Sequence, residues 1–314
     1  MHTLSKSSRS ETFIKTVKFL GNCQARLNDG ENTNDWLAVQ AQLISSNDDP
    51  TGVRKAGLLK WLFEKNKPVV IKYSTAELIK SDYEIAHLLH KAKLPNLIKY
   101  ICDFECNEDL PNIVKRNFQT KPYLCERTGP DRLKAIVMSY YPLGSINDYD
   151  WTQSNFADYI NLIKQACFAV LYAYETVGFI HGDFHLDNIL IKPTKRRAIN
   201  YGTSIQLPIG SKYAVIMDFE RSTIVAPEHR EEHRSRVYKS IKNLIMLALN
   251  EKDNATVSFK VNDATMEGRM FLYNIGQFES QNPPITTEIF SKIGKYIDMI
   301  VPYDKNNYGS RAKR

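Results

Sequence analysis

His181-Gly182-Asp183-Phe184-His185-Leu186-Asp187-Asn188 is the stretch on which the reading of the fold turns. It is a polar loop between two apolar elements. Before it, Ile160, Ile163, Cys167, Val170, Leu171 and Tyr174 recur at helical spacing and predict a helix over about 155–176. After it, Ile189-Leu-Ile191 reads as a strand, and Tyr213-Ala-Val-Ile-Met217 reads as another. Asp183 and Asn188 stand five positions apart, and Asp218 closes the second strand thirty residues past Asn188. Moving a phosphoryl group to a hydroxyl needs one carboxylate to orient the hydroxyl and take its proton. It also needs oxygen ligands for magnesium. Asp183, Asn188 and Asp218, at neighbouring strand ends, are those residue types.

The order of these residues carries a resemblance. His181-Gly-Asp-Phe-His-Leu-Asp-Asn188 is similar to the HxDxxxxN loop of the protein-kinase-like superfamily, and Asp218-Phe219-Glu220 resembles its DFG element. The resemblance implies Asp183 as catalytic base and Asn188 and Asp218 as magnesium ligands. Upstream, Val69-Val-Ile-Lys72 looks like the VAIK strand, which implies Lys72 on the α- and β-phosphates of ATP and Glu84 as its helix partner. Leu94-Pro-Asn-Leu-Ile98 resembles the segment leading from that helix to the next strand. Ser139-Tyr-Tyr-Pro-Leu-Gly-Ser145 looks like the hinge, whose backbone, including Ser139 and Tyr141, would bond adenine while Gly144 turns the chain. The implied fold is α+β and bilobal, with an antiparallel-sheet N-lobe and a mainly helical, shortened C-lobe. Its parts are an extension over 1–35, an N-lobe over 36–141 and a C-lobe over 142–314 with the hinge at its start. ATP and Mg2+ are the implied cofactors.

Several positions depart from the pattern. No GxGxxG precedes Lys72; the equivalent turn is Ser45 to Gly52, with Asp48 and Asp49 in it. Gly182 stands where regulated protein kinases carry Arg, and His185 where they often carry a Lys against the γ-phosphate. Glu220 replaces the DFG glycine. The HGDxHxxN form also occurs in aminoglycoside- and choline-kinase-like enzymes. Ala226-Pro-Glu228 resembles the APE motif but follows Asp218 too closely for a normal peptide-binding segment. The whole is similar to divergent serine/threonine-kinase-like proteins of large DNA viruses. It implies a kinase acting on a protein hydroxyl, with a small-molecule kinase and a nucleotide-binding pseudokinase as competing readings. A protein substrate is the expected partner and a small molecule the alternative. Nucleic acid is not indicated.

Composition fits this picture without deciding it. The chain has 314 residues, 43% hydrophobic and 25% charged, with a net charge of +7. A modest basic excess suits a phosphate-bearing partner. Part of it is local, in Lys192, Lys195, Arg196 and Arg197, which lie in an enlarged hairpin over Lys192–Ser211. No apolar run is long enough to span a membrane, and Met1–Arg9 has no secretory core. Five cysteines without a CxxC pair predict neither a disulfide framework nor a structural zinc site. A cytoplasmic location is expected, that of a host cell if the chain is viral. Upstream of the loop the texture predicts strands at 36–44, 53–63, 68–73, 97–104 and 135–141. The helix that follows Lys72 has Ile85, Leu88 and Leu89 on one face and a capping box at Ser81-x-x-Glu84. Downstream, helices are expected at 233–249 and 287–300.

Overall fold

The computed structural model describes residues 21–22, 42–47, 54–61, 67–105, 133–249, 258–262 and 266–303. It mixes helix and strand in two compact units. The first comprises residues 1–87 and 98–140, and the second comprises 88–97 and 141–314.

The first unit is built on a six-stranded sheet in the order β1-β5-β6-β4-β3-β2. The strands are β1 (Gly21–Asn22), β2 (Gln42–Asn47), β3 (Arg54–Trp61), β4 (Lys67–Thr75), β5 (Tyr100–Glu105) and β6 (Leu133–Ser139). All pairs are antiparallel except β1 with β5, where Gly21 faces Cys102. β4 is interior, flanked by β3 and β6, and its Val69-Val-Ile71 run suits such a strand. The helix α1 (Ala76–Lys91) follows β4 directly. Among its described side chains, Ile79, Asp82, Ala86 and Leu89 are fully buried, a stripe at helical spacing.

Several expectations change here. β2 runs through Ser45, Ser46 and Asn47, so the turn opens later than Ser45. Asp48 and Asp49 lie outside the described residues, as do 36–41 of the first expected strand and 106–132 between β5 and β6. Ser81 sits inside α1, which begins at Ala76, so its pairing with Glu84 is not a capping box. Within the expected extension 1–35, Gly21–Asn22 is an edge strand.

The second unit is centred on α2 (Phe156–Val177), buried at thirteen positions including Gln165 and Cys167. Its middle, residues 166–171, is apolar on every face and buried throughout, as suits a helix inside the unit. It stops at Gly178, whose φ of 75° is the left-handed cap; its N–H bonds the carbonyls of Ala173 and Tyr174. β7 (Phe179–Ile180) pairs with β12 (Thr223–Ile224). β8 (Ile189–Pro193) pairs with β11 (Lys212–Ile216), and β9 (Ala198–Tyr201) with β10 (Ile205–Pro208). Then come α3 (Arg230–Leu249), β13 (Ser258–Val261), α4 (Met266–Arg269), α5 (Phe271–Gln281), α6 (Thr287–Asp298) and β14 (Ile300–Tyr303), which pairs with β13. α6 packs on α2 through Phe290 and Phe168, edge to face at 5.0 Å. Tyr159 anchors the end of α3 by donating to the Ala248 carbonyl. The enlarged hairpin is therefore real structure, with its own β9–β10 ladder. No helix among the described residues is long and apolar enough to cross a membrane.

Candidate active site

The loop predicted from the sequence is held by backbone geometry before any side chain acts. β8 and β11 pair with Ile189 opposite Ile216. One step further, the Met217 N–H donates to the Asn188 carbonyl at 3.0 Å. That bond seats Asn188 beside the residue preceding Asp218. On the other side, Ile180 faces Thr223 in β7–β12, and the Ser222 hydroxyl donates to the His181 carbonyl at 2.7 Å. The loop at 181–188 and the segment at 218–224 are thus stitched at both ends.

His181 is buried against Phe179, Phe184 and Phe219. Its Nε2 lies 2.9 Å from the Met217 carbonyl, so Nε2 carries the proton. Nδ1 then accepts from the Asp183 N–H at 3.4 Å. Burial holds the imidazole below its ordinary titration range. A neutral ring with both nitrogens used fits this place. Gly182 has a φ of 78°, and a Cβ there would sit 2.0 Å from the Arg221 carbonyl oxygen. Glycine at that position is thus a steric requirement of the close approach.

Asp183 is partly exposed, with Arg221 Nη1 3.7 Å from Oδ2 and His185 Nε2 3.8 Å from Oδ1. Asn188 is buried and spends Nδ2 on the Asp183 carbonyl (2.9 Å) and on His185 Nε2 (3.0 Å). His185 is then an acceptor at Nε2, with its proton on Nδ1 toward Asp187 Oδ2 at 3.2 Å. The Asn188 amide oxygen is the atom this leaves for a ligand. Asp218 adopts a φ of 66°, a left-handed conformation that turns the chain just after the β11 strand end. Phe219 is fully buried, and the buried Glu220 brings its carboxylate within 4.8 Å of that of Asp218. Hard oxygen donors from Asn188 and Asp218 are the set magnesium prefers.

In the first unit, Lys72 is paired, but not with Glu84. Its Nζ lies 3.1 Å from Oδ2 of Asp82, which is 0% exposed, and the Tyr100 hydroxyl donates to Asp82 Oδ1 at 2.6 Å. Glu84 is 63% exposed and faces Lys80 at 3.8 Å across one helical turn. The assignment of Glu84 as the partner is therefore corrected to Asp82. The reason is angular: Asp82 lies on the buried stripe of α1 and Glu84 lies off it. A carboxylate among Ile79, Ala86 and Leu89 was the signal in the sequence. The Ser139 N–H donates to the Lys99 carbonyl at 3.0 Å, which leaves Ser139 no N–H for a base. The Tyr141 carbonyl accepts from Gly144 N–H at 3.1 Å, and Gly144 turns the chain with a φ of 71°.

No protein-family model matches the chain. A stretch of 127 residues is 30% identical to "Uncharacterized protein ZK177.2" of Caenorhabditis elegans. That stretch covers 40% of this chain and 38% of the nematode protein.

Proposed function

We propose that the protein is an ATP- and magnesium-dependent phosphotransferase whose two units are the lobes of a protein-kinase-like fold, acting on a protein Ser or Thr hydroxyl. The observation that carries this reading is the stitched pair of loops. Asp183, Asn188 and Asp218 come from two strand ends held together by the Met217–Asn188 bond. Asp183 keeps an accessible carboxylate while its backbone carbonyl is gripped by Asn188.

The roles follow from the chemistry of each group. Asp183 orients the acceptor hydroxyl and takes its proton. His181, neutral and buried, holds the Asp183 backbone N–H and so fixes the loop. Asn188 and Asp218 would hold magnesium through oxygen. His185 sets the direction of the Asn188 amide. Lys72, oriented by Asp82, would neutralise phosphate charge. When bound, ATP supplies the phosphoryl group and magnesium offsets its charge.

A second reading, a small-molecule kinase, is favoured by one observation. The chain passes from Asp218 through β12 and a single 3-10 turn at Pro227–His229 straight into α3. That leaves little chain for a peptide-binding platform. Incubating the protein with labelled ATP, magnesium and a generic protein substrate, beside a panel of small alcohols, separates the readings. Label in protein is the expected result. Label only in a small alcohol selects the second reading, and label in neither, with nucleotide bound, contradicts both.

A further inference from the structure

The hairpin over 192–211 has no part in the proposed chemistry, yet it is a built structure. Behind it, within the second unit, lies a cavity of about 700 Å³. Lys93, Asn96, Tyr172, Arg196, Asn200 and Tyr213 line it, and no acidic side chain of the described residues does. Its floor is rigid. Asn96 Nδ2 donates to the Ala214 carbonyl (2.9 Å), its backbone N–H donates to the Tyr213 hydroxyl (2.8 Å), and the Tyr201 hydroxyl donates to Asn96 Oδ1 (2.8 Å). Gln165, fully buried, joins the same network through the Ala214 N–H at 2.8 Å. Arg196 is held over the Tyr213 ring at 5.6 Å, a cation fixed at the rim.

One wall of the cavity is the edge of a strand. Ala198, Ile199 and Asn200 of β9 line it, and β9 pairs on one side only, with β10. The bonding phase of that ladder is set by the Ile209 N–H donating to the Arg197 carbonyl at 2.9 Å, with Ile199 opposite Leu207 and Tyr201 opposite Ile205. Odd-numbered residues of β9 therefore exchange bonds with β10. Ala198 and Asn200 turn their N–H and C=O groups the other way. Among the described residues no backbone group bonds to them. An open edge with free donors and acceptors accepts another strand. Lys195, Arg196 and Arg197 are all exposed beside it, which disfavours pairing with a second copy of the same basic edge and favours a strand of opposite charge.

We infer that β9 and the basic rim around Arg196 form a docking site for an extended, acidic peptide segment, which adds as a strand to the edge at Ala198 and Asn200. Backbone bonds supply the affinity and Lys93, Lys195, Arg196 and Arg197 the selection for carboxylate side chains.

The test is binding and needs no ATP, so its failure is separate from failure of the phosphotransferase reading. A fluorescein-labelled peptide of about ten alternating Glu and Val residues, long enough to cover a strand, is titrated with the full chain and followed by anisotropy. Its Lys/Val counterpart is the control. Wild type binds the acidic peptide and not the basic one. Arg196→Glu weakens binding about tenfold or more, and Arg196→Gln by less. Asn200→Pro removes an outward N–H without breaking a β9–β10 bond, so it weakens binding while the melting temperature stays near wild type. Equal binding of both peptides, or unchanged affinity in Arg196→Glu and Asn200→Pro, overturns the proposal. So does calorimetry that detects inorganic phosphate but no peptide, which would assign the cavity to a compact anion.

Discussion

Asp82 is the residue whose place changes the account most. A carboxylate with no exposure, held by Lys72 and Tyr100, stands in for the exposed Glu84. Removing one partner of a buried pair leaves the other charge uncompensated. Asp82→Ala should therefore cost about 3–5 kcal/mol in a denaturant melt. Glu84→Ala should stay within about 0.5 kcal/mol, because its pair with Lys80 is solvated. A large loss in Glu84→Ala and none in Asp82→Ala would reverse the assignment. His181 makes a second prediction. Burial lowers its pKa below the ordinary value of about 6.5, so the unfolded chain binds a proton that the folded chain refuses. Stability is complete above about 6.5 and falls as pH drops below it toward the lowered folded value. Melting temperature measured between about pH 7.5 and 5 should fall in wild type, and less steeply in His181→Gln. Parallel curves would show that another group sets the acid limb.

At the scale of elements, the segment after Asp218 is short and tied down. Thr223 and Ile224 pair with β7, and Ser222 is buried with its hydroxyl on the His181 carbonyl. Gly182 offers no cation beside Asp183, and Arg221 already faces that carboxylate at 3.7 Å. A phosphate added here has no loop left to order. Protein from a kinase-free host, shown unmodified by mass spectrometry, should therefore transfer phosphate at full rate. A large gain after phosphorylation at Ser222 or Thr223 would contradict this. The same region shows what a sequence discloses. Helix α2 and strands β8 and β11 stood out because long apolar runs repeat at 3.6 or end in polar loops. Ser81-x-x-Glu84 misled because a capping pattern means nothing inside a helix, and α1 had begun five residues earlier. The hairpin over 192–211 was legible, but the separate strands β9 and β10 within it were not, because basic and turn-forming residues mask a four-residue alternation.

On the scale of the whole molecule, the mixed architecture was legible because strand patterns crowd the first part and helical ones the second. Asp183, Asn188 and Asp218 stood out as candidates because they sit at ends of strongly apolar segments. The bonds that hold their segments together were not legible. The Met217–Asn188 link, the tautomer of His181 and the clash that requires Gly182 depend on distances between segments far apart in the chain, and the tautomer of His185 depends on the fold of the loop itself. In the proposed reaction Asp183 acts as base while other residues bind nucleotide. The most direct measurement is single-turnover transfer from labelled ATP by wild type and Asp183→Asn, with nucleotide affinity measured on the same samples. Transfer should fall by about a hundredfold to ten-thousandfold, the range of a lost general base, with affinity changed by less than about twofold. Near-wild-type transfer by Asp183→Asn would contradict the account.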